Sequence, residues 1–513
     1  MPFIQDLSID LRLVKDYLNR FRFAPIVLGA GVIDLSIYLL YILISFHFAY
    51  TDMDQLIMWY GASEFQSGDF HMFRYFGQNY GTMLEALVGS LFAGVPYHIA
   101  LPTATLLLFL TPYFMMGKSS LARWKWFLPV GFLLMFPPEY FMIAFMPRDF
   151  VTGIAVTSMS LFFINQKSRF SFFMIGLICI IGWSFQQNAA LLGATISTYA
   201  AFHEQRIRWS NVLWMAAGYA VGGGLHLLLE YYYVLHPELI VHGAWEFHFA
   251  LKQVWDGWKN LDRHFQWITP ALLYQGWFYI FIFLGLLIWS YLKKQWNVFA
   301  ATLVLGFITF ASLGVLKIHD ARDNVFFSHE RMYLALPVAI FFLLSRIKTV
   351  SFSLAFTAIG LVLSVFSMFR FSGIKEKHLE NKQLQVVQVK TIEEFYDDCE
   401  RIHALAQEYA VKLFLLGPHY QHFRVTSTHG CQSQYSDIKV LFPEYERKTW
   451  DTRAVIKAGP TRFLWHNTGK FEMDERIQDI FEETDIPGLY LVSLQHENPI
   501  EFYENLGYKV KNY

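Results

Sequence analysis

Long apolar runs separated by short polar segments recur through the first 370 residues of the chain. A helix needs roughly 20 mostly apolar residues to cross about 30 Å of hydrocarbon. About eleven runs come near this length, at 24–49, 99–117, 126–146, 150–165, 170–185, 188–203, 211–234, 269–292, 296–316, 331–347 and 350–370. The chain is therefore predicted to be an α-helical polytopic membrane protein with about 11 transmembrane helices.

The composition agrees with this fold class and narrows the functions. Apolar residues make up 54% of the chain and charged residues 16%, whereas soluble domains are about a quarter charged. A wholly soluble enzyme is thus disfavoured. The net charge of −1 shows no basic excess, so no nucleic-acid partner is expected. Three cysteines are too few for a disulfide-built fold or a Cys-rich metal module.

Basic residues collect in alternate connections between the runs. The set comprises Arg12, Lys15, Arg20 and Arg22; Lys118, Arg123 and Lys125; Lys167 and Arg169; Arg206 and Arg208; Lys293 and Lys294; and Arg346 and Lys348. Short cytoplasmic loops of membrane proteins carry such an excess of Lys and Arg. The pattern predicts a plasma (inner) membrane protein with a cytoplasmic N-terminus and, after an odd number of spans, an external C-terminus.

Three regions follow from these patterns. Residues 1–23 are predicted to form a cytoplasmic interfacial helix, and residues 24–370 the membrane bundle, with a first external loop at 50–98. Residues 371–513 have shorter apolar runs in which strand and helix patterns alternate, which predicts an extracytoplasmic α/β domain with a mostly parallel sheet. Its candidate strands are 385–389, 412–416, 438–442, 462–466 and 489–493, and its candidate helices are 391–411, 451–458, 472–483 and 499–506.

The first external loop is the richest in reactive side chains. Asp52 and Asp54 follow the first apolar run, and Glu85 stands at the start of the next apolar helix. Carboxylates at a bilayer surface can act as general bases or hold a divalent cation. The alternative reading is that they are solvated polar residues of an ordinary external loop.

This loop resembles that of a known enzyme group. Its pattern of Asp54-Gln55, Ala62, Gly68, Phe76-Gly77-Gln78-Asn79-Tyr80-Gly81 and Leu84-Glu85 is similar to the polyprenyl-phosphate-sugar-dependent glycosyltransferases of the glycosyltransferase C superfamily. The likeness is strongest to members related to the protein O-mannosyltransferase and lipid A aminoarabinose transferase group. Arg331, Tyr333 and Pro337 resemble the Arg-x-Tyr-x-x-x-Pro opening of a late span in the same proteins. Gln55 stands where the family usually has Glu.

The resemblance implies an inverting transfer of a sugar from a polyprenyl-phosphate-linked donor to an extracytoplasmic glycan, lipid or protein acceptor. Asp54 is the expected general base, with Asp52 as the second candidate. No Gly-rich phosphate loop stands between a strand and a helix, so no nucleotide cofactor is expected. Asp54 and Glu85 are the candidate ligands of a divalent metal ion, although Gln55 leaves one carboxylate where the family has two.

The residues expected to bind the substrates are Arg74, Gln78, Tyr80, Glu85, Arg148, Asp149, Arg331, Tyr333 and His329. Arg331 suits a phosphate because a guanidinium binds phosphate oxygens bidentately. Arg148 and Asp149 adjoin each other, and the alternative for them is mutual neutralisation.

Other polar residues leave open alternatives. Asp34 falls inside the first run, where an ionisable group is either functional or paired near a helix end. His226 and Glu230 have the i, i+4 spacing of a metal site or of a buried polar pair. Cys399 and Cys431 are both placed outside, where a disulfide can form.

Two other classes of function compete with the transferase. One is a transporter or flippase of lipid-linked sugars, which should show repeats between its halves. The other is an inactive relative that acts through its external domain.

Overall fold

The structure, a computed structural model, describes most of the chain. The described residues are 24–70, 73–74, 81–119, 126–203, 205–236, 239, 248–319, 321, 323–347, 350–380, 389–416, 430–435, 437–441, 459, 461–466, 480–495 and 498–505. They are mostly helical with a small sheet region. The predicted interfacial helix at 1–23, the helix at 451–458 and the strand at 385–389, except residue 389, lie outside them.

Sixteen α-helices precede the C-terminal sheet within the described residues. They are α1 Ala24–Ile42, α2 Met53–Ser67, α3 Leu84–Ser90, α4 Tyr97–Ser119, α5 Phe127–Leu134, α6 Pro138–Ala144, α7 Thr152–Ser158, α8 Arg169–Phe185, α9 Ala190–Ala201, α10 Trp209–Leu235, α11 Leu251–Lys259, α12 Leu261–Phe265, α13 Phe278–Leu292, α14 Trp296–Ser312, α15 Ala335–Ser345 and α16 Val350–Leu379. Three short strands accompany them, β1 Tyr50–Thr51, β2 Phe202–His203 and β3 Arg206–Ile207.

Four helical segments of the described chain are long and apolar enough to cross a membrane. They are Pro25–His47, Tyr97–Ser119, Trp209–Leu235 and Leu354–Leu379. The pair α5 and α6 is a fifth candidate, bent by 102°. The prediction of a helical membrane protein is thereby supported, whereas the count of 11 spans and the orientation stay predictions.

The predicted third span at 126–146 is not one continuous helix, because the helix breaks between Leu134 and Pro138. Pro137 and Pro138 lack backbone N–H groups, and a proline disfavours helical geometry at the residue before it. Pro137 accordingly has an extended conformation, and Pro138 starts the new helix α6. The two prolines thus bring the chain after α6 back toward the end of the first span.

Helices α1 and α16 are parallel neighbours. Residue numbers increase along both segments from one contact to the next: Gly31 contacts Thr357, Asp34 contacts Ser364, Tyr41 contacts Phe371 and Tyr50 contacts Lys375. The Ser364 hydroxyl donates to the Asp34 carboxylate, so this half-buried polar group is paired. Both helices therefore end at one face of the bundle, which we call the domain face because the C-terminal domain lies there.

Glycines bring α8 and α10 into backbone contact. A Cβ atom at Gly176 would lie 2.1 Å from the Met215 carbonyl oxygen, and one at Gly218 would lie 2.0 Å from the Phe173 carbonyl oxygen. Small residues permit this approach between membrane helices, where van der Waals contact replaces the hydrophobic effect as the source of association. Large apolar side chains such as Ile37, Leu40 and Leu228 stay exposed elsewhere on the bundle, as on a lipid-facing surface.

The C-terminal domain is a helix packed with a five-stranded mixed sheet. Its elements are β4 Lys390–Thr391, α17 Ile392–Glu408, β5 Leu413–Leu416, β6 Lys439–Leu441, β7 Arg462–His466, β8 Phe481–Glu483, β9 Leu489–Ser493 and α18 Pro499–Asn505. The strand order is β6-β5-β7-β9-β8, parallel from β6 to β7 and antiparallel from β7 to β8. The prediction of a mostly parallel sheet was thus wrong, because two of the four strand pairings are antiparallel.

The end of the predicted helix 472–483 is also wrong, since Phe481–Glu483 forms strand β8. Its pairing with β9 decides this, because Phe481 lies opposite Val492 and packs 5.0 Å from the Trp465 ring. Cross-strand contacts of this kind override local helix preference.

The domain docks on the segment that follows α1. Strand β4 pairs with β1, and the Ile392 N–H donates to the Ala49 carbonyl. The Trp59 ring of α2 packs 5.4 Å from that of Phe395 on α17. A disulfide joins Cys399 of α17 to Cys431, which resolves the alternative left open by the sequence. These contacts bury one side of α2.

Gly218→Ala should destabilise the bundle, because the new methyl group would meet the Phe173 carbonyl oxygen and force α8 and α10 apart. Overpacking of this kind costs about 1–3 kcal/mol. Thermal unfolding of the purified protein in detergent should show a lower midpoint for Gly218→Ala.

Gly223→Ala is the matched control for this change. It stands on the same helix, and a Cβ atom there meets nothing within 4 Å. Alanine also favours helix over glycine, so its midpoint should stay the same or rise. Equal losses for both variants would contradict the glycine contact.

Candidate active site

Asp52 begins α2 and is buried there. One of its carboxylate oxygens, Oδ1, accepts from the backbone N–H of Asp54 at 2.9 Å and of Gln55 at 3.2 Å. The Gln55 side chain donates to the other oxygen, Oδ2, at 2.5 Å. Asp52 is therefore the N-cap residue of the helix, and capping bonds of this kind stabilise a helix by about 1 kcal/mol. Gln55, the departure from the family pattern, thus serves to hold Asp52.

Arg148 joins this helix start to two other parts of the chain. It lies after the bent pair of helices, and its Nη2 forms an ion pair with Asp52 Oδ2. Its Nη1 donates to the Phe326 carbonyl and lies 3.8 Å from Asp54 Oδ2. Three segments distant in sequence thus meet at one guanidinium.

The two aspartates differ in access to solvent. The Asp52 side chain is fully buried, whereas 32% of the Asp54 side chain is exposed. Burial raises the pKa of Asp52, the Arg148 guanidinium opposes that rise, and the Asp54 charge adds to it. Asp54 is therefore the carboxylate of the pair that a substrate can reach, and Asp52 holds the arginine and the helix start.

Glu85 and Asp149 form a second carboxyl pair. Asp149 has a left-handed backbone with φ +68°, uncommon for a residue other than glycine. Its N–H donates to Glu85 Oε2 at 3.0 Å, while the Thr82 N–H and hydroxyl donate to its carboxylate at 2.5 and 2.9 Å. The Gln186 side chain donates to its carbonyl at 3.2 Å. Arg148 and Asp149 therefore do not have each other as main partners. Arg148 binds Asp52, and Asp149 binds Thr82 and Glu85.

Burial is the main cause of the raised pKa values in this second pair. It raises the pKa of Asp149 to about 7, against the lowering effect of hydrogen bonds from Thr152 and Thr82. It also raises the pKa of Glu85, and the neighbouring Asp149 charge raises it further. Two buried carboxyl groups in contact disfavour double ionisation, so the pair retains a proton near neutral pH.

Arg331 lies close to the partners of Arg148. Its guanidinium carbon is 3.8 Å from the ring centroid of Phe327 and 5.8 Å from that of Phe150. Asn188 donates to the carbonyls of Phe150 at 2.8 Å and of Arg331 at 3.4 Å. Since Arg148 binds the carbonyl of Phe326, the two guanidinium groups flank one short turn, residues 325–327.

Tyr333 and His329, which lie on either side of Arg331 in the sequence, have partners inside the protein. The Tyr333 hydroxyl bonds with that of Ser312 at 3.1 Å, and its ring packs 4.8 Å from Phe265. His329 bonds through Nδ1 to the Ile318 carbonyl at 2.9 Å, and burial lowers its pKa. The His264 ring lies 5.1 Å from that of His329. These contacts pack Tyr333 and His329 beside the site, and binding of a substrate by either residue stays a prediction.

Arg74 is held mainly by α10, although its charge also acts on Asp149. It forms an ion pair with Glu230, and its backbone N–H donates to the Tyr233 hydroxyl at 3.0 Å. The His226 ring lies edge-on to the Trp183 ring at 5.3 Å. Glu230 forms its ion pair with Arg74, and its charge also acts on His226. Gln78 and Tyr80 lie outside the described residues.

The carboxylates of the site include the predicted metal ligands, Asp54 and Glu85. The described residues hold no group of three His, Cys, Asp or Glu that could bind a metal ion. Asp54 lies beside Arg148, and Glu85 Oε2 accepts the backbone N–H of Asp149. The contacts present on Asp54 and Glu85 do not fit a shared metal ion, and a divalent ion there stays a prediction.

Several site residues were missed from the sequence. Gln186 and Asn188 hold the backbone of Asp149 and Phe150, and the polar triplet Gln186-Gln187-Asn188 inside an apolar stretch was a usable signal. Thr82 follows Gly81 with no distinguishing pattern, so only the folded loop shows its part.

No protein-family model, curated protein or solved structure matches the chain.

The raised pKa of Asp149 predicts a pH-dependent stability. The folded state retains a proton up to about pH 7, whereas an unfolded aspartate releases it near pH 4. Stability should therefore fall as pH rises between these values and level off above pH 7, by a few kcal/mol in order of magnitude. Asp149→Asn does not ionise, so thermal midpoints measured at pH 5 and pH 8 should differ less than in the wild type.

Asp69→Asn controls for the loss of an external carboxylate, since Asp69 is exposed at the end of α2. The thermal midpoints of Asp69→Asn at pH 5 and pH 8 should differ by as much as those of the wild type. An undiminished difference in Asp149→Asn would show that Asp149 does not hold the proton.

Proposed function

We propose that this chain is an integral membrane glycosyltransferase that moves a sugar from a polyprenyl-phosphate-linked donor to an extracytoplasmic glycan, lipid or protein acceptor. The observation that carries the proposal is the arrangement at Arg148. A partly exposed carboxylate, Asp54, lies 3.8 Å from a buried guanidinium that Asp52 holds in place. A base beside a cation is what glycosyl transfer from a phosphate requires. The resemblance of the first loop supplies the class of substrate.

In this reaction Asp54 takes the proton of the acceptor hydroxyl while that oxygen attacks the anomeric carbon. The bond between the anomeric carbon and the phosphate oxygen breaks, and its electron pair leaves with the lipid phosphate. Attack opposite to the leaving group inverts the anomeric centre. Arg148 and Arg331 flank the turn at 325–327 and would stabilise the negative charge that develops on the phosphate. Asp52 is a positioning residue, because it acts through Arg148.

The parallel packing of α1 and α16 supports an external domain face. Parallel helices that both cross a membrane need an odd number of crossings between them, so the total from α1 to α16 is odd, in agreement with the 11 predicted spans. The start of α1 and the C-terminal domain then lie on opposite sides. With the basic loops in the cytoplasm, the site and the domain face the outside of the plasma membrane.

The deciding experiment is complementation of a strain that lacks the gene. Mass analysis of surface glycans and lipids should show the loss of one sugar increment without the gene and its return with the wild-type chain. Asp54→Asn keeps the size of the side chain but removes the base. We expect it to lower transfer by about a hundredfold or more at equal protein level.

Asp69→Asn, an exposed carboxylate of the same loop, should restore the sugar fully. Full restoration by Asp54→Asn would rule out the assigned base. Unchanged surface glycans and lipids without the gene would argue against a transferase. Flipping of a lipid-linked sugar by the purified protein in liposomes, without transfer, would favour the transporter reading.

A further inference from the structure

A cavity of about 890 Å³ opens at the domain end of α16, beside the segment 323–327 that also contacts Arg148. Asp323 lines it, Asn324 donates to the His378 carbonyl at 2.8 Å, and the Phe326 carbonyl accepts from Arg148. The cavity is thus a neighbour of the proposed active site. None of its lining residues was expected to bind a substrate.

Two cationic side chains of one helix face line the cavity. Arg370 and Lys377 stand seven residues apart on α16, which is two helical turns or roughly 10 Å. Within the described part of the chain neither makes a salt bridge, although the cationic charges of both act on Glu139. Gly373 lies between them, and a Cβ atom there would meet nothing within 4 Å. The glycine leaves room for an anion that both cations can reach.

The rest of the lining suits a polar, hydroxyl-bearing group, and the Tyr274 ring lies 5.8 Å from the Arg370 guanidinium carbon. Trp267 and Tyr274 present aromatic rings, and the Tyr274 hydroxyl donates to Glu139 Oε2 at 3.1 Å. Aromatic faces beside carboxylates and amides can accept both the apolar face and the hydroxyls of such a group. The cavity volume lies in the range of small-molecule sites.

The cavity continues into the lipid-facing surface. Phe369, which lines it, is 84% exposed, and Phe366 and Val362 on the same helix are 45% and 69% exposed. All three belong to the membrane-crossing segment Leu354–Leu379. An acyl or prenyl chain can therefore lie along α16 in the bilayer while its head group enters the cavity.

We infer that this cavity binds the phosphate-bearing head group of a membrane lipid, with Arg370 and Lys377 on the phosphate. Cations at the end of a membrane helix attract anionic head groups. The inference concerns binding alone and does not require that the chain transfer a sugar. Within the proposed function, the cavity would hold a lipid substrate next to Arg148.

The test is a binding titration on the purified full chain in neutral detergent, followed by native mass spectrometry. The probes are phosphatidic acid, diacylglycerol, which lacks the phosphate, and glycerol phosphate, which lacks the chains. We expect saturable binding of phosphatidic acid only. Arg370→Gln with Lys377→Gln should weaken it about tenfold or more, because charge-assisted hydrogen bonds are lost.

Gly373→Trp should abolish binding by filling the cavity. Lys375→Gln is the matched charge control, since Lys375 stands on the same helix, does not line the cavity and lies 5.9 Å from the Tyr50 ring. Gly285→Trp is the matched size control on exposed surface of α13, where a Cβ atom also meets nothing. Both controls should bind phosphatidic acid as the wild type does.

Three results would overturn the inference: no saturable binding, equal binding of diacylglycerol, or equal losses in the controls. Binding of glycerol phosphate as tight as that of phosphatidic acid would indicate a site for free phosphate esters and would contradict a site for a membrane lipid. Since no transfer is measured, an inactive Asp54→Asn protein should still bind the lipid. A failure of the lipid-binding experiment therefore would not contradict the proposed glycosyltransferase activity, which is tested separately by sugar transfer.

Discussion

The buried ion pair between Asp52 and Arg148 is the contact on which the candidate site depends. It joins the start of α2 to the loop after α6, and the same guanidinium reaches the turn at 325–327. A buried charge without its partner is strongly unfavourable. Each of these segments therefore restrains the others, and Asp54 is held at the edge of the group where its carboxylate meets solvent.

The C-terminal domain strengthens this arrangement from outside the bundle. Strand β4 pairs with β1, immediately before Asp52, and Trp59 of α2 packs on Phe395. Gly430 allows the disulfide-linked segment to approach α2, since a Cβ atom there would lie 2.5 Å from Leu56. One face of α2 thus supports the carboxylates while another is covered by the domain. Under the proposed function, the domain helps to position the catalytic loop.

Much of the fold was predictable because it depends on patterns of short range. Apolar length located the helical segments, and strands 462–466 and 489–493 have the predicted bounds. The errors arose where contacts between distant segments decided the outcome. Strand β8 forms because β9 lies beside it. The break in the third span could have been predicted, because the consecutive prolines Pro137 and Pro138 are a sequence signal for the end of a helix.

The sequence alone determined that this is a helical membrane protein with a separate C-terminal α/β region, because apolar length and periodicity are properties of neighbouring residues. It also singled out Asp52, Asp54, Arg148 and Arg331. Only the tertiary structure decided the burial and the partners of these residues. Asp52 is a buried helix cap and Asp54 is accessible. Arg148 contacts both aspartates, whereas Asp149 is bound by Thr82. The reason is physical, since burial and charge pairing depend on segments nearly 100 to 270 residues apart that meet only when the bundle closes.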